Sequence, residues 1–85
     1  MIVRLLLFAT AREAAGCGRD DIEIEAGATL TELLVVAEQR YGGTFAAVLA
    51  NSRVWVNGEE PPGREVTLNQ DDEVAVLPPV SGGAG

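Results

Sequence analysis

Few side chains in this 85-residue sequence can do chemistry. It contains no histidine, so a serine or cysteine triad of the histidine-based kind is not available. Cys17 is the only cysteine, and without histidine it leaves none of the usual zinc ligand sets. Carboxylates cluster at Glu59-Glu60 and at Asp71-Asp72-Glu73, both beside turn residues. A working acid–base pair needs a cleft that so small a domain rarely has, so solvated turn chemistry is the favoured reading of both. Asp71-Asp72-Glu73 also lacks the EF-hand spacing needed for calcium. Cys17 sits between Gly16 and Gly18, either as an incidental loop cysteine or as a thiol activated by nearby Arg19. The side chains therefore predict no catalytic residue and no metal site.

The C-terminal run LPPVSGGAG offers another kind of chemistry. Pro78 and Pro79 fix φ, so the chain leaves the preceding element in a set direction and cannot continue as helix. After Val80 and Ser81, Gly82 and Gly83 carry no side chain and permit close approach to another backbone. Fully extended, Pro79 to Gly83 reaches about 17 Å at roughly 3.4 Å per residue. Such a tail can thread a narrow channel and present a main-chain carboxylate inside a partner. The plainer reading of the same residues is a frayed terminus.

The elements that would carry this tail follow from the hydrophobic pattern. Residues 2–8 read as a strand whose apolarity on both faces suggests a central position. Residues 9–15 hold helix formers and are stopped by Gly16 and Gly18. Residues 21–25 alternate, with Ile22 and Ile24 facing the core and acids in water. That predicts an edge strand paired with the first as a hairpin with a long connection. Residues 29–41 form the best helix: Thr29 and Glu32 have capping-box spacing. Leu30, Leu33, Leu34, Ala37 and Tyr41 share one face, and Gly42-Gly43 ends it.

Residues 45–50 suggest a second short helical turn. Residues 53–57 alternate again, with Val54 and Val56 on one face and Trp55 on the other. Trp55 either meets a partner or packs under the Phe45 segment. Asn57-Gly58 is a turn signal, and Pro61-Pro62-Gly63 lengthens that loop. Residues 66–68 read as a short strand or a bridge, 69–72 as a turn, and 73–77 as a last strand ended by Pro78-Pro79 and placed beside the first. The expected architecture is an α+β roll, a mixed sheet of about five strands on one main helix. One domain over residues 1–80 and a tail over 81–85 follow from the length.

Thirteen acidic residues against six arginines give a net charge of −7, and there is no lysine. This balance speaks against nucleic acid and anionic membranes and in favour of a partner with a basic face. Nearly half the residues are hydrophobic (47%), enough for a folded core. A single cysteine allows no intrachain disulfide, and the apolar run 2–8 is interrupted by Arg4 and too short to span a bilayer. A cytoplasmic protein is expected.

Four stretches resemble the MoaD/ThiS sulfur carriers, which have the ubiquitin-like β-grasp fold, and MoaD more closely. They are LLLFATAREAAG (5–16), TLTELL (29–34), VWVNGE (54–59) and NQDDEVAVLPPVSGG (69–83). The last is similar to the family ending D-G-D-E-V-A-x-x-P-P-V-x-G-G and favours the threading reading of the tail over the frayed one. The resemblance implies a noncatalytic carrier that binds no cofactor. An ATP-dependent, MoeB/ThiF-like enzyme related to ubiquitin-activating enzymes would adenylate the carboxylate of Gly83, and a sulfur donor would convert it to a thiocarboxylate. The tail would then deliver sulfur to a MoaE-like large subunit of molybdopterin synthase, for molybdenum cofactor biosynthesis. In one respect the sequence departs from the pattern: Ala84-Gly85 follows the second glycine. A tail-clipping metalloprotease would remove these residues, or Gly85 would itself be activated, or carrier activity would be lost. Clipping would tilt the pathway toward cysteine or a secondary metabolite, and thiamine biosynthesis belongs to the same family. A β-grasp binding module or protein modifier without sulfur chemistry is the contrasting reading.

Overall fold

The computed structural model describes residues 1–79. In chain order the elements are β1 (Ile2–Leu7), α1 (Ala9–Ala15), β2 (Arg19–Glu23), α2 (Leu30–Tyr41), α3 (Gly43–Leu49), β3 (Arg53–Val56) and β4 (Glu73–Leu77). The sheet order is β2-β1-β4-β3. β1 is antiparallel to β2 and parallel to β4, and β3 is antiparallel to β4. Two parallel neighbours need a crossover, which the intervening helices supply. This is the β-grasp roll that the resemblance implies.

One core holds the roll together. β1 buries Val3, Leu5 and Leu7 on one face, as period-two alternation requires. Ile22 stands opposite Val3, Val74 opposite Leu5, and Val76 between Leu7 and Val54. Against this face α2 brings Leu30, Leu33, Leu34 and Ala37, and α3 adds Phe45 and Leu49. α2 starts where Thr29 and Glu32 predict. The Glu32 N–H donates to Thr29 Oγ1 at 3.2 Å, and the Thr29 N–H donates to Glu32 Oε1 at 2.9 Å.

Four expectations are corrected. The sheet has four strands among the described residues, not about five. Residues 66–68 form only a bridge, Thr67 to Thr29. The first turn of α2 draws them away from the sheet: the Leu30 N–H donates to Val66 O at 3.0 Å and the Thr31 N–H to Arg64 O at 2.9 Å. Those carbonyls satisfy donors that a helix start leaves free.

The second strand is Arg19–Glu23 rather than 21–25, because its partner β1 begins at Ile2, which pairs with Glu23. Ile24 lies past that register and is half-buried beside the core. Gly42 ends α2 at φ +96°, but Gly43 opens α3 instead of sharing the stop. Finally, α3 spans Gly43–Leu49 rather than 45–50, whereas α1 covers Ala9–Ala15 as expected.

The shift of β2 puts Asp20 in the strand, where it ties the sheet edge to the end of α2. The Tyr41 hydroxyl donates to Asp20 Oδ2 at 2.6 Å, and Arg40 Nη1 donates to the same oxygen at 2.8 Å. The Tyr41 hydrogen bond is the main influence holding the Asp20 carboxyl below its ordinary value, with Arg40 adding to it. The Tyr41 phenol is pushed well above its ordinary value by burial first and by Asp20 second.

A carboxyl depressed by folding stabilises the protein above its unfolded value of about 3.9, and that contribution is lost as pH falls through the folded value. Asp20→Asn is therefore expected to lower stability by about 1 kcal/mol at pH 7, somewhat less than a fully buried hydrogen bond to a charged group because Asp20 is partly exposed. Urea unfolding of both proteins should show the difference closing as pH falls below about 4.

Candidate functional site

The feature to be positioned is the chain that leaves β4. β4 lies inside the sheet, with β1 on one side and β3 on the other. Its last rungs are Val76 to Val54 and Leu77 to Arg53 on β3, with the Phe8 N–H donating to Val76 O at 3.4 Å from the β1 side. Pro78 then ends the strand, since it has no N–H to offer a ladder. Pro78 is half-buried and Pro79 exposed. These two residues are the described part of the expected site. Val80, Ser81, Gly82 and Gly83, together with Ala84 and Gly85, lie outside the described residues.

Near this root the outer face of the sheet carries an apolar row. Leu6, Ala75 and Trp55 form one row across β1, β4 and β3. Trp55 is 38% exposed and Phe8 45%. With Asn51, Arg53 and Leu77, Trp55 and the two prolines line a groove of about 360 Å³. This resolves the two readings of Trp55. Phe45 is fully buried among the residues on the opposite face, so Trp55 does not pack under its segment. The sequence signals for this face were the apolarity of residues 2–8 on both faces and the alternation of residues 53–57. It became legible only once Leu6, Ala75 and Trp55 were in register.

Charge borders the apolar row. Arg4 stands between Asp21 at 3.8 Å and Glu73 at 3.6 Å, on the strands at either side. Arg53 pairs with Glu60 at 3.2 Å beside the tail root. The acidic clusters do structural work. Asn57 and Gly58 have φ of +52° and +84°, the positive values that a tight hairpin turn needs. Asp72 accepts from the Asn69 N–H at 2.8 Å and from Asn57 Nδ2 at 3.0 Å, closing the neighbouring turn. Cys17 is half-buried, its Sγ 3.9 Å from the Tyr41 hydroxyl. Among the described residues no three His, Cys, Asp or Glu side chains gather as a metal site, and no helix is long and apolar enough to cross a membrane.

A β-grasp sheet with a proline-directed C-terminal exit beside an apolar outer face defines a ubiquitin-like protein. The ThiS family matches residues 5–83. The molybdopterin synthase sulfur carrier subunit of Anopheles gambiae is 34% identical over 86 residues, covering 95% of this chain and 91% of the relative. Its Drosophila melanogaster counterpart is 31% identical over 84 residues, covering 95% and 90%. Among solved structures, SAMP1 from Haloferax volcanii superposes with a TM-score of 0.86 over 95% of this chain and 98% of that one. At 24% identity it speaks for the fold. The Amycolatopsis orientalis BexX/CysO complex matches with a TM-score of 0.67 at 25% identity, over 93% of this chain and 97% of that one. The chain belongs to the ThiS family, as its motifs suggested.

The two aromatic positions predict opposite outcomes in unfolding experiments. Phe45→Ala should cost about 3–5 kcal/mol, because it empties a fully buried site. Trp55→Ala should stay within about 1 kcal/mol, since the ring lies on the surface. A Trp55 loss as large as that of Phe45 would show that the ring belongs to the core rather than to a contact face.

Proposed function

We propose that the chain is a sulfur carrier that acts as the small, noncatalytic subunit of molybdopterin synthase. The observation that carries the reading is the extent of the family match, which takes in the tail and stops at Gly83. The names of the relatives, sulfur carrier subunits over nearly their whole length, support it.

In this reading a carboxylate oxygen of Gly83 attacks the α-phosphorus of ATP on a MoeB/ThiF-like activating enzyme, and pyrophosphate leaves. Hydrosulfide, or an equivalent sulfide-level donor, then attacks the acyl carbon, AMP departs with the electron pair of the C–O bond, and the S–H proton passes to solvent. The resulting thiocarboxylate is a soft sulfur nucleophile on an arm without bulk. ATP is the activating enzyme's substrate, and the carrier itself holds no cofactor. Acid–base catalysis falls to the partners, in keeping with a chain that has no histidine. The cytoplasm suits this chemistry.

Pro78 and Pro79 aim the arm, Val80 and Ser81 extend it, and Gly82-Gly83 fits a narrow channel. A MoaE-like large subunit covers Leu6, Ala75 and Trp55 and receives the tail. Ala84-Gly85 is removed first, by a metalloprotease. Two extra residues displace the reacting carboxylate by up to about 7 Å, and far smaller misplacements cost orders of magnitude in rate.

The test is activation followed by mass spectrometry. A chain ending at Gly83 should accept AMP and then one sulfur in place of oxygen. The full chain should do so slowly, or only after losing Ala84-Gly85. If the Gly83-terminated form stays inert with every cognate activating enzyme, the carrier reading fails.

Charge supplies a further check on docking. With a net charge of −7 the chain is drawn to a basic entrance, so raising salt should slow association more than it speeds dissociation. Stopped-flow binding at several ionic strengths measures both rates. A salt-independent on-rate would remove the electrostatic part.

A further inference from the structure

The outer edge of β3 is closed at one rung and open at the next. The Asn57 N–H donates to Glu73 O on β4, so the odd-numbered residues of β3 turn their main chain toward β4. Val54 and Val56 turn theirs to the edge. Beyond the Asn57-Gly58 turn the chain folds back and closes the edge at Val56. The Val56 N–H donates to Glu59 O at 2.8 Å, and the Glu59 N–H donates to Val56 O at 3.1 Å. The next rung of this hairpin would set Pro61 opposite Val54. Proline has no N–H, so the Val54 carbonyl finds no donor there. Among the described residues neither the N–H nor the C=O of Val54 has a hydrogen-bond partner.

Beside this rung lies a groove of about 270 Å³, lined by Leu30, by residues 52–54 and by the loop 60–64. Val54 is only 5% exposed, so whatever meets its main chain must enter by the groove. Arg53 and Arg64 face one carboxylate there, Glu60, which Arg53 already holds at 3.2 Å. Among the described residues no ion pair holds Arg64. The groove is thus cationic in a chain whose net charge is −7. Arg53 also lines the groove beside Pro78 and Pro79, so an occupant would sit next to the tail root.

We propose that the β3 edge beside Pro61 is a docking site for an extended, carboxylate-bearing segment of a partner protein. The segment pairs with the Val54 N–H and C=O as an added strand, and its carboxylate meets Arg64. Pro61 keeps the rung open by denying the chain's own loop the donor that would close it. The inference goes beyond the sulfur chemistry and does not depend on it.

The experiment uses the isotope-labelled full chain and the peptide acetyl-TVEVT-amide as probe. Amide hydrogen exchange by NMR compares Val54 with Trp55, whose N–H is laddered to β4. In the chain alone Val54 should exchange at least about tenfold faster than Trp55. Peptide near saturation should slow Val54 by about tenfold. The uncharged peptide acetyl-TVQVT-amide should bind about threefold more weakly, and so should the first peptide to Arg64→Gln, as for an exposed ion pair. Pro61→Val supplies the missing donor. It should slow Val54 exchange in the chain alone and abolish peptide binding. Thermal melts check that both variants are folded, and the two peptides on wild type decide the case without them.

Val54 exchange unmoved by the peptide would overturn the proposal, and so would equal binding of the two peptides. Shifts confined to Leu6, Ala75 and Trp55 would put the peptide on the sheet face and overturn it as well. Val54 protection that rises with chain concentration alone would make a second copy the occupant in place of a partner.

Discussion

The parallel pairing of β1 with β4 is the constraint on which the rest of this structure depends. It brings the last strand into the interior of the sheet, between the first strand and β3. A C-terminus carried by an edge strand could fray with that edge. Here Val74 and Val76 are fully buried on the core face, and the strand is laddered on both sides. Local opening near the root would have to break packing and two ladders together. The strand from which the tail departs is thus held by packing and by pairing on both sides.

The same pairing needs a long crossover, and the crossover makes the core. α2 supplies Leu30, Leu33, Leu34 and Ala37 against the inner face, while residues 64–68 return to cap its first turn. Helix start and loop therefore stabilise each other: the helix gains acceptors for its free N–H groups, and the loop gains a fixed course. Among the described residues no helix covers the opposite face of the sheet. Leu6, Ala75 and Trp55 meet there, next to the tail root. In the proposed reading, a partner covering that row would bury apolar surface and receive the arm in a single docking event.

Charge is arranged to suit that division. Carboxylates that resembled candidate acid–base pairs are occupied with turns and ion pairs: Asp72 closes a turn, Glu73 flanks Arg4, and Glu60 holds Arg53. The Asp20–Tyr41–Arg40 group is a fastening between the edge strand and the helix end. Each is partly exposed, so each adds modest stability rather than reactivity. In the proposed reading the reacting group of the carrier is its main chain, and the charge at the root is the Arg53–Glu60 pair.

The sequence by itself determined the local elements whose signals are local. Thr29 and Glu32 marked the helix start, Asn57-Gly58 the turn, alternation at Val54–Val56 a strand, and Pro78-Pro79 the end of the last one, because caps, turns and pleats depend on residues only a few places apart. The motif over 69–83 also determined the family, since a short run of specific residues was enough.

Tertiary structure alone decided the rest. It moved β2 to Arg19–Glu23, because a strand's limits are set by the partner it pairs with. It settled residues 66–68 as a bridge rather than a short strand, with the carbonyls of Arg64 and Val66 accepting from free donors of the helix start. It put Trp55 on the open face and Arg53 at the tail root, because which side chains of separate strands become neighbours is fixed by register, and register is a property of the assembled sheet.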